Sequence, residues 1–249
     1  TQAADAETTD AETTDASKTD GTFTVGFDQD FPPMGFVGDD GEFTGFDLEM
    51  AAEVAKRLNL MIAYQPIAWD AKDMELDAGT IDCIWNGFTM NGREDDYEWS
   101  KPYMKNNQVF VVRGDSDINS EADLAGKNVE VQTDSSAEAA LNDNSELTST
   151  FGSLTPVADY NTAFMDLESG AVDAIAMDDV VASYQITSRK ADFKVLDDVI
   201  AAEEYGIGFK KGNTGLRDKV QATLEEMAAD GTAAKISEKW FGKDITTIQ

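Results

Sequence analysis

Apolar residues recur along this chain with two alternating periods. Residues 23–27 form a short β-rich run. From 46 to 60 the period lengthens to that of a helix: Leu48, Ala51, Ala52, Ala55 and Leu58 share one face, with Glu49, Glu53, Lys56 and Arg57 opposite. The same reading predicts a strand at 61–64, a helix at 70–78 closed by Gly79, and a buried strand at 81–85. A second series follows, with strands at 109–112, 128–131, 154–157, 172–177 and 193–195. Helices at 120–124, 135–141, 162–168 and 180–188 lie between them. A strand at 205–209 and helices at 214–229 and 233–240 close the chain. Strands alternating with helices imply an α/β protein with mostly parallel sheets. The alternation breaks near 103–108 and again near 201–205. If both breaks are crossovers, residues 21–104 plus 205–249 make one lobe and 108–200 the other. Two connections between compact lobes make a hinge, with a ligand expected in the cleft.

Residues 1–20 stand outside this pattern. The unit Asp-Ala-Glu-Thr-Thr occurs twice, and the segment has no aromatic or large aliphatic residue to offset the entropy of ordering. It reads as a disordered acidic tether able to span about 25 Å. No run approaches the length of a membrane-spanning helix, and the start at Thr1 does not resemble a signal peptide.

The formal net charge of −30 describes a solvated acidic coat that repels nucleic acid and anionic membranes. The tether carries six acids and one lysine, so −25 of that charge falls on the remaining chain. Acidity of this kind suits life outside the cell or in salt. With no histidine and a single cysteine, Cys83, the chain lacks the parts for a Ser-His-Asp triad, a Cys-His dyad, a His-ligated zinc or an internal disulfide. Neither a metal nor a cofactor is expected. Cys83, within Ile81-Asp82-Cys83-Ile84-Trp85, reads as a small buried hydrophobe.

Several short motifs keep an order and spacing that is specific in combination. They are Gly26-Phe27-Asp28 with Phe31-Pro32-Pro33, Gly45-Phe46-Asp47-Leu48-Glu49, and Asn86-Gly87-Phe88-Thr89 with Arg93. Trp99-Ser100-Lys101-Pro102-Tyr103, Gly170-Ala171-Val172-Asp173-Ala174 with Asp178, Tyr205-Gly206-Ile207-Gly208-Phe209 and Trp240-Phe241-Gly242 follow. Across about residues 21–242 the chain resembles the family-3 solute-binding proteins, the polar amino-acid binding subunits of ABC importers. The resemblance implies the type II periplasmic binding protein fold: two lobes, each a mostly parallel sheet flanked by helices, joined by a two-strand hinge. It also implies a free amino-acid ligand, ABC permease transmembrane subunits as partners, and a monomer. An extracytoplasmic location would follow, with anchoring through a lipid-modified cysteine upstream of this chain.

A free amino acid carries a carboxylate and an ammonium on one carbon, and enclosing both requires a fixed cation and a fixed anion. By resemblance Arg93 forks onto the ligand carboxylate, helped by Thr89, and Asp178 accepts the ammonium together with the carbonyl of Gly87. The bland alternatives are a surface ion pair of Arg93 with Glu94 or Asp95, and a plain helix N-cap at Asp178. Many relatives place four residues between the threonine and the arginine; here there are three, Met90, Asn91 and Gly92. Ser135 and Ser136 open a helix whose amides would favour the carboxylate, or Ser135 is an ordinary cap. Asp134, often glycine in relatives, must point away or find a cation. Asp28, Phe31 and Trp69 are expected to form the side-chain pocket, the aromatics sandwiching an aliphatic stem or guanidinium, with core packing as the alternative. Asn86, Phe88 and Gln132 complete the expected ligand-binding set. The pocket favours arginine, lysine or glutamine, since no second cation beyond Arg93 is evident for an acidic ligand. Two other readings remain: an enzyme like the cyclohexadienyl dehydratases, using a carboxylate as general acid, and the ligand-sensing domain of a receptor.

Overall fold

A computed structural model describes residues 21–249, so the expected tether lies outside the described residues. Strand β1 (Thr22–Phe27) leads into a three-stranded antiparallel ribbon of β2 (Asp30–Phe31), β3 (Gly35–Val37) and β4 (Phe43–Thr44). Helix α1 (Phe46–Arg57) follows, then β5 (Met61–Pro66), α2 (Lys72–Ala78), β6 (Cys83–Thr89) and the short β7 (Glu98–Trp99). The long strand β8 (Met104–Arg113) precedes β9 (Asn128–Gln132), α3 (Ser136–Asp143), α4 (Ser145–Thr148) and β10 (Ser153–Val157). Next come α5 (Tyr160–Ser169), β11 (Ala174–Asp178), α6 (Asp179–Arg189), the 17-residue β12 (Phe193–Phe209), α7 (Thr214–Ala229) and α8 (Thr232–Phe241).

One sheet carries the strands in the order β10-β9-β11-β8-β12-β6-β1-β5, with β7 beside β12. Two parallel groups, β5-β1-β6 and β10-β9-β11, flank the antiparallel pair β8 and β12. Two strands join the parallel groups, as the two-strand hinge of the expected fold requires, but the groups are continuous through them and not separate sheets. Both predicted breaks fall inside these two strands, which run unbroken from one half of the sheet to the other. Polar residues such as Asn106 and Glu203 hide the strand character from a hydrophobic pattern. The ladder between β8 and β12 shifts register between Val195 and Ala201, and β12 shifts again against β6 between Gly206 and Gly208. Such irregularities bend a strand and increase its twist.

Helix α1 shows how sequence sets the entry to the site. Gly45 has φ 143°, and a Cβ there would stand 2.3 Å from the Met34 carbonyl oxygen, so only glycine fits. The first helical amides find carbonyls in the preceding loop: Phe46 N–H donates to Pro33 at 2.7 Å and Asp47 N–H to Met34 at 3.0 Å. Phe46, Leu48, Met50, Ala51, Val54 and Ala55 are buried in the main core beside Phe23 and Trp85, which accounts for the helical period in the sequence. Cys83 is buried and free. No helix among the described residues is long and apolar enough to cross a membrane.

Candidate functional site

Between the two halves of the sheet lies a cavity of about 290 Å³, its mouth included. Ten of the twelve residues expected to bind ligand line it. Phe31, Trp69, Asn86, Gly87, Thr89 and Arg93 come from the β1-β6 half, and Gln132, Ser135, Ser136 and Asp178 from the other. Asp28 and Phe88 are not on its wall. The Asp28 carboxylate is closed off by Gln132, whose Nε2 donates to it at 2.7 Å, and by the Asp30 N–H at 2.8 Å. Phe88 turns into an aromatic cluster with Trp69, Tyr97 and Trp99, where it meets Trp69 edge-on with centroids 5.4 Å apart.

Strand β6 ends at the cavity, and its loop is pinned from below. The fully buried Asp47, in the first turn of α1, accepts the Gly87 N–H at 2.6 Å and the Tyr103 hydroxyl at 2.9 Å. Gly87 itself has φ 57°, and a Cβ there would press on Tyr205 and Phe31. The short stretch from Thr89 to Arg93 is a tight turn, with the Arg93 N–H donating to the Met90 carbonyl at 3.0 Å and Gly92 at φ 79°. Three intervening residues therefore suffice to bring Arg93 back to the cavity. Its guanidinium lies 5.3 Å over the Phe88 ring and donates across the cleft to the Asp134 carbonyl at 3.0 Å. It does not pair with Glu94 or Asp95.

Asp134 does find a cation. Its carboxylate pairs with Lys72, a lysine only 1% exposed whose ammonium also sits 5.2 Å over the Trp69 ring. Lys72 is thus a second cation beside the cleft, missed in the sequence because it sits in a helix of Asp and Glu that reads as a solvated face. Asp134 satisfies it, and it is absent from the cavity wall.

Asp178 occupies the N-cap position of α6 but caps nothing with its side chain. Its carboxylate instead accepts from Tyr205 Oη at 2.5 Å and Asn106 Nδ2 at 2.7 Å, and burial, with Glu203 nearby, pushes it up to about 7. Ser135 is an N-cap, accepting the Glu138 N–H at 3.1 Å. Ser136 hydrogen-bonds within the site, accepting from Gln108 Nε2 at 3.1 Å and lying 3.2 Å from the Thr89 hydroxyl. Burial raises Asp28 to about 6 and Asp47 to about 7.

Sequence reasoning also missed Asn106, Gln108 and Glu203. All three are buried on β8 and β12. The available signal was a polar run, Asn106-Asn107-Gln108, set directly against the apolar stretch of Val109 to Val112.

The cavity joins a guanidinium, a buried carboxylate, hydroxyls and aromatic faces, which suits a small zwitterion. The family of bacterial extracellular solute-binding proteins, family 3, matches residues 23–243. The L-cystine-binding protein TcyJ of Escherichia coli strain K12 is 34% identical over 228 residues, covering 90% of this chain and 84% of that protein. Among solved structures, a substrate-binding protein of an ABC uptake transporter from Streptococcus pneumoniae with bound histidine superposes with a TM-score of 0.88. It is 34% identical, covering 91% of this chain and 95% of the other. An ancestral arginine-binding protein bound to glutamine gives a TM-score of 0.82 at 36% identity, covering 90% and 99%.

Proposed function

The chain belongs to family 3 of the bacterial extracellular solute-binding proteins, and on that footing we propose that it captures a free polar L-amino acid outside the cytoplasm and delivers it unchanged to the membrane subunits of an ABC importer. The observation that carries this reading is that Arg93 and Asp178, from opposite halves of the sheet, face one cavity. The two halves act as lobes that close by bending at β8 and β12. Arg93 holds the ligand carboxylate and Asp178 its ammonium, a charged pair of groups for a charged pair of groups.

The side chain runs between Phe31 and Trp69 toward Gln132. Behind Gln132 stands Asp28, so a distal cation or amide that displaces the Gln132 amide meets a carboxylate. That arrangement favours a basic or glutamine-like amino acid, or one with a second ammonium such as the cystine of the relative's name. Lys72, already neutralised by Asp134, leaves acidic side chains without a free cation.

A thermal-shift panel of the twenty amino acids plus cystine tests the proposal. Ligand at 100 times Kd adds about 2.7 kcal/mol to stability, so one or a few polar members are expected to raise Tm, with arginine, lysine, histidine, glutamine or cystine foremost. A panel in which none does so refutes it. Recovery of the bound amino acid unaltered by mass spectrometry separates binding from turnover.

A further inference from the structure

Glu203 lies one layer behind the cavity wall, at the point where β6, β8, β12 and α3 meet. A single oxygen, Oε2, receives the Thr89 hydroxyl at 2.9 Å, Gln108 Nε2 at 2.9 Å, Asn106 Nδ2 at 3.1 Å and the Ser136 hydroxyl at 3.4 Å. The same Asn106 Nδ2 also donates to Asp178 Oδ2, so one amide nitrogen bridges two buried carboxylates. Two consequences follow from this geometry.

The first concerns the hydroxyls. A hydroxyl has one hydrogen to give. Where Thr89 and Ser136 direct theirs to Glu203, they turn lone pairs toward the cavity. Such groups receive an ammonium and do not assist a carboxylate, contrary to the role that family resemblance suggests for Thr89. The second concerns charge. Around the pair the fixed groups are acceptors in excess: Asn106 Oδ1 and Gln108 Oε1 are buried without a partner among the described residues. The titratable groups facing Asp178 are Glu203 and Tyr205 on β12, Tyr160 on α5 and Asp179 on α6, none of them a cation. Arg93 stands on the same cavity but donates to Asp134 and Thr89 carbonyls. Asp178 is therefore costly to ionise: it is buried, faces a second carboxylate and has no cation of its own.

We propose that Glu203 is a positioning residue for the ligand's ammonium, and that Asp178, set beside the Glu203 carboxylate, holds a proton in the empty site which the ammonium displaces to solvent on binding. The proposal rests on the amino-acid reading above and deepens it. The balance is simple: Asp178 loses a proton to solvent, the incoming ammonium keeps all three of its own, and no covalent bond to the ligand changes. With the neutral-range titration of Asp178, binding weakens as pH falls, because the proton and the ammonium compete for one place. Above neutrality Asp178 is already ionised and the dependence flattens.

Calorimetric titration of the full chain with the amino acid that the thermal panel returns, in two buffers of different ionisation enthalpy at pH 6 and pH 8, tests this. About one proton is expected to leave per ligand at pH 6 and far fewer at pH 8, with affinity rising roughly tenfold per pH unit below neutrality. In E203Q, proton release at pH 6 is expected to be smaller than in wild type, since burial of Asp178 remains while the neighbouring charge is gone, and affinity to fall by at least tenfold. Binding enthalpies identical in the two buffers at pH 6 would overturn the proposal while leaving the amino-acid reading intact. Undiminished proton release in E203Q would overturn the role of Glu203. The wild-type buffer comparison decides the proton question even where E203Q does not fold, and a protein that binds no amino acid would overturn both readings together.

Discussion

Arg93 is the residue on which binding turns in the proposed reading, and its surroundings say how. Half-buried, stacked over Phe88 and held to the Asp134 carbonyl, it has little conformational freedom left to lose when a carboxylate arrives. Arg93→Ala is expected to cost about 2–5 kcal/mol of binding, because the ligand carboxylate would be enclosed without its partner. Titration of the variant against wild type measures this, and unchanged affinity would remove Arg93 from the site. The identity of Arg93 was legible from the motif Asn86-Gly87-Phe88-Thr89 and the arginine after it. The company of Asp134 was not: the sequence posed the problem of a carboxylate near the ligand, and only the fold brought Lys72, 62 residues away, to neutralise it.

At the scale of elements, the site depends on how loops are anchored to helices and strands. Helix α1 presents Asp47 to the Gly87 amide and so fixes the end of β6, but the helix can start there only because Gly45 clears the Met34 carbonyl. Gly45→Ala combines a disfavoured φ with a steric clash against backbone. It is expected to destabilise the fold by about 2–5 kcal/mol, a drop in Tm of order 5–15 °C for a chain of this size. Thermal melting of the variant checks this; a melt like that of wild type would mean the loop relaxes freely. Apolar periodicity predicted most helices and strands near their observed places. It missed the continuity of β8 and β12 and the ribbon β2-β3-β4, whose strands are two or three residues long and too short to show a period. The polar Asn106, Gln108 and Glu203 interrupt a hydrophobic pattern while remaining in the backbone ladder, whose hydrogen bonds are indifferent to side-chain polarity.

For the whole molecule, electrostatics sets the conditions of stability. A net charge of −30 makes the folded state repel itself. Raising salt from 0.1 to 1 M shortens the screening length from about 10 to about 3 Å, so Tm is expected to climb steadily in a sodium chloride series. A flat or falling trend would show that the acidic coat costs the fold nothing. Protons act in the same direction. Burial raises Asp28 to about 6 and Asp47, Glu130 and Asp178 to about 7. Unfolded, these groups ionise near 4, so the stability tied to their protonated forms is complete below that pH and is lost as pH rises toward 7. The ligand-free protein is therefore expected to melt higher at pH 5 than at pH 8, and the reverse order would contradict these assignments.

By itself the sequence determined the alternation of strands and helices, the family, and ten of the residues on the cavity wall, because apolar periods and ordered motifs are local properties of a chain. Only the tertiary structure decided that two strands run unbroken through the middle of the sheet, that Lys72 answers Asp134, that Gln132 screens Asp28, and that Glu203 stands behind Asp178. Each of those is a meeting of groups distant in the chain, and their energies depend on separation and burial, which exist only once the chain has folded.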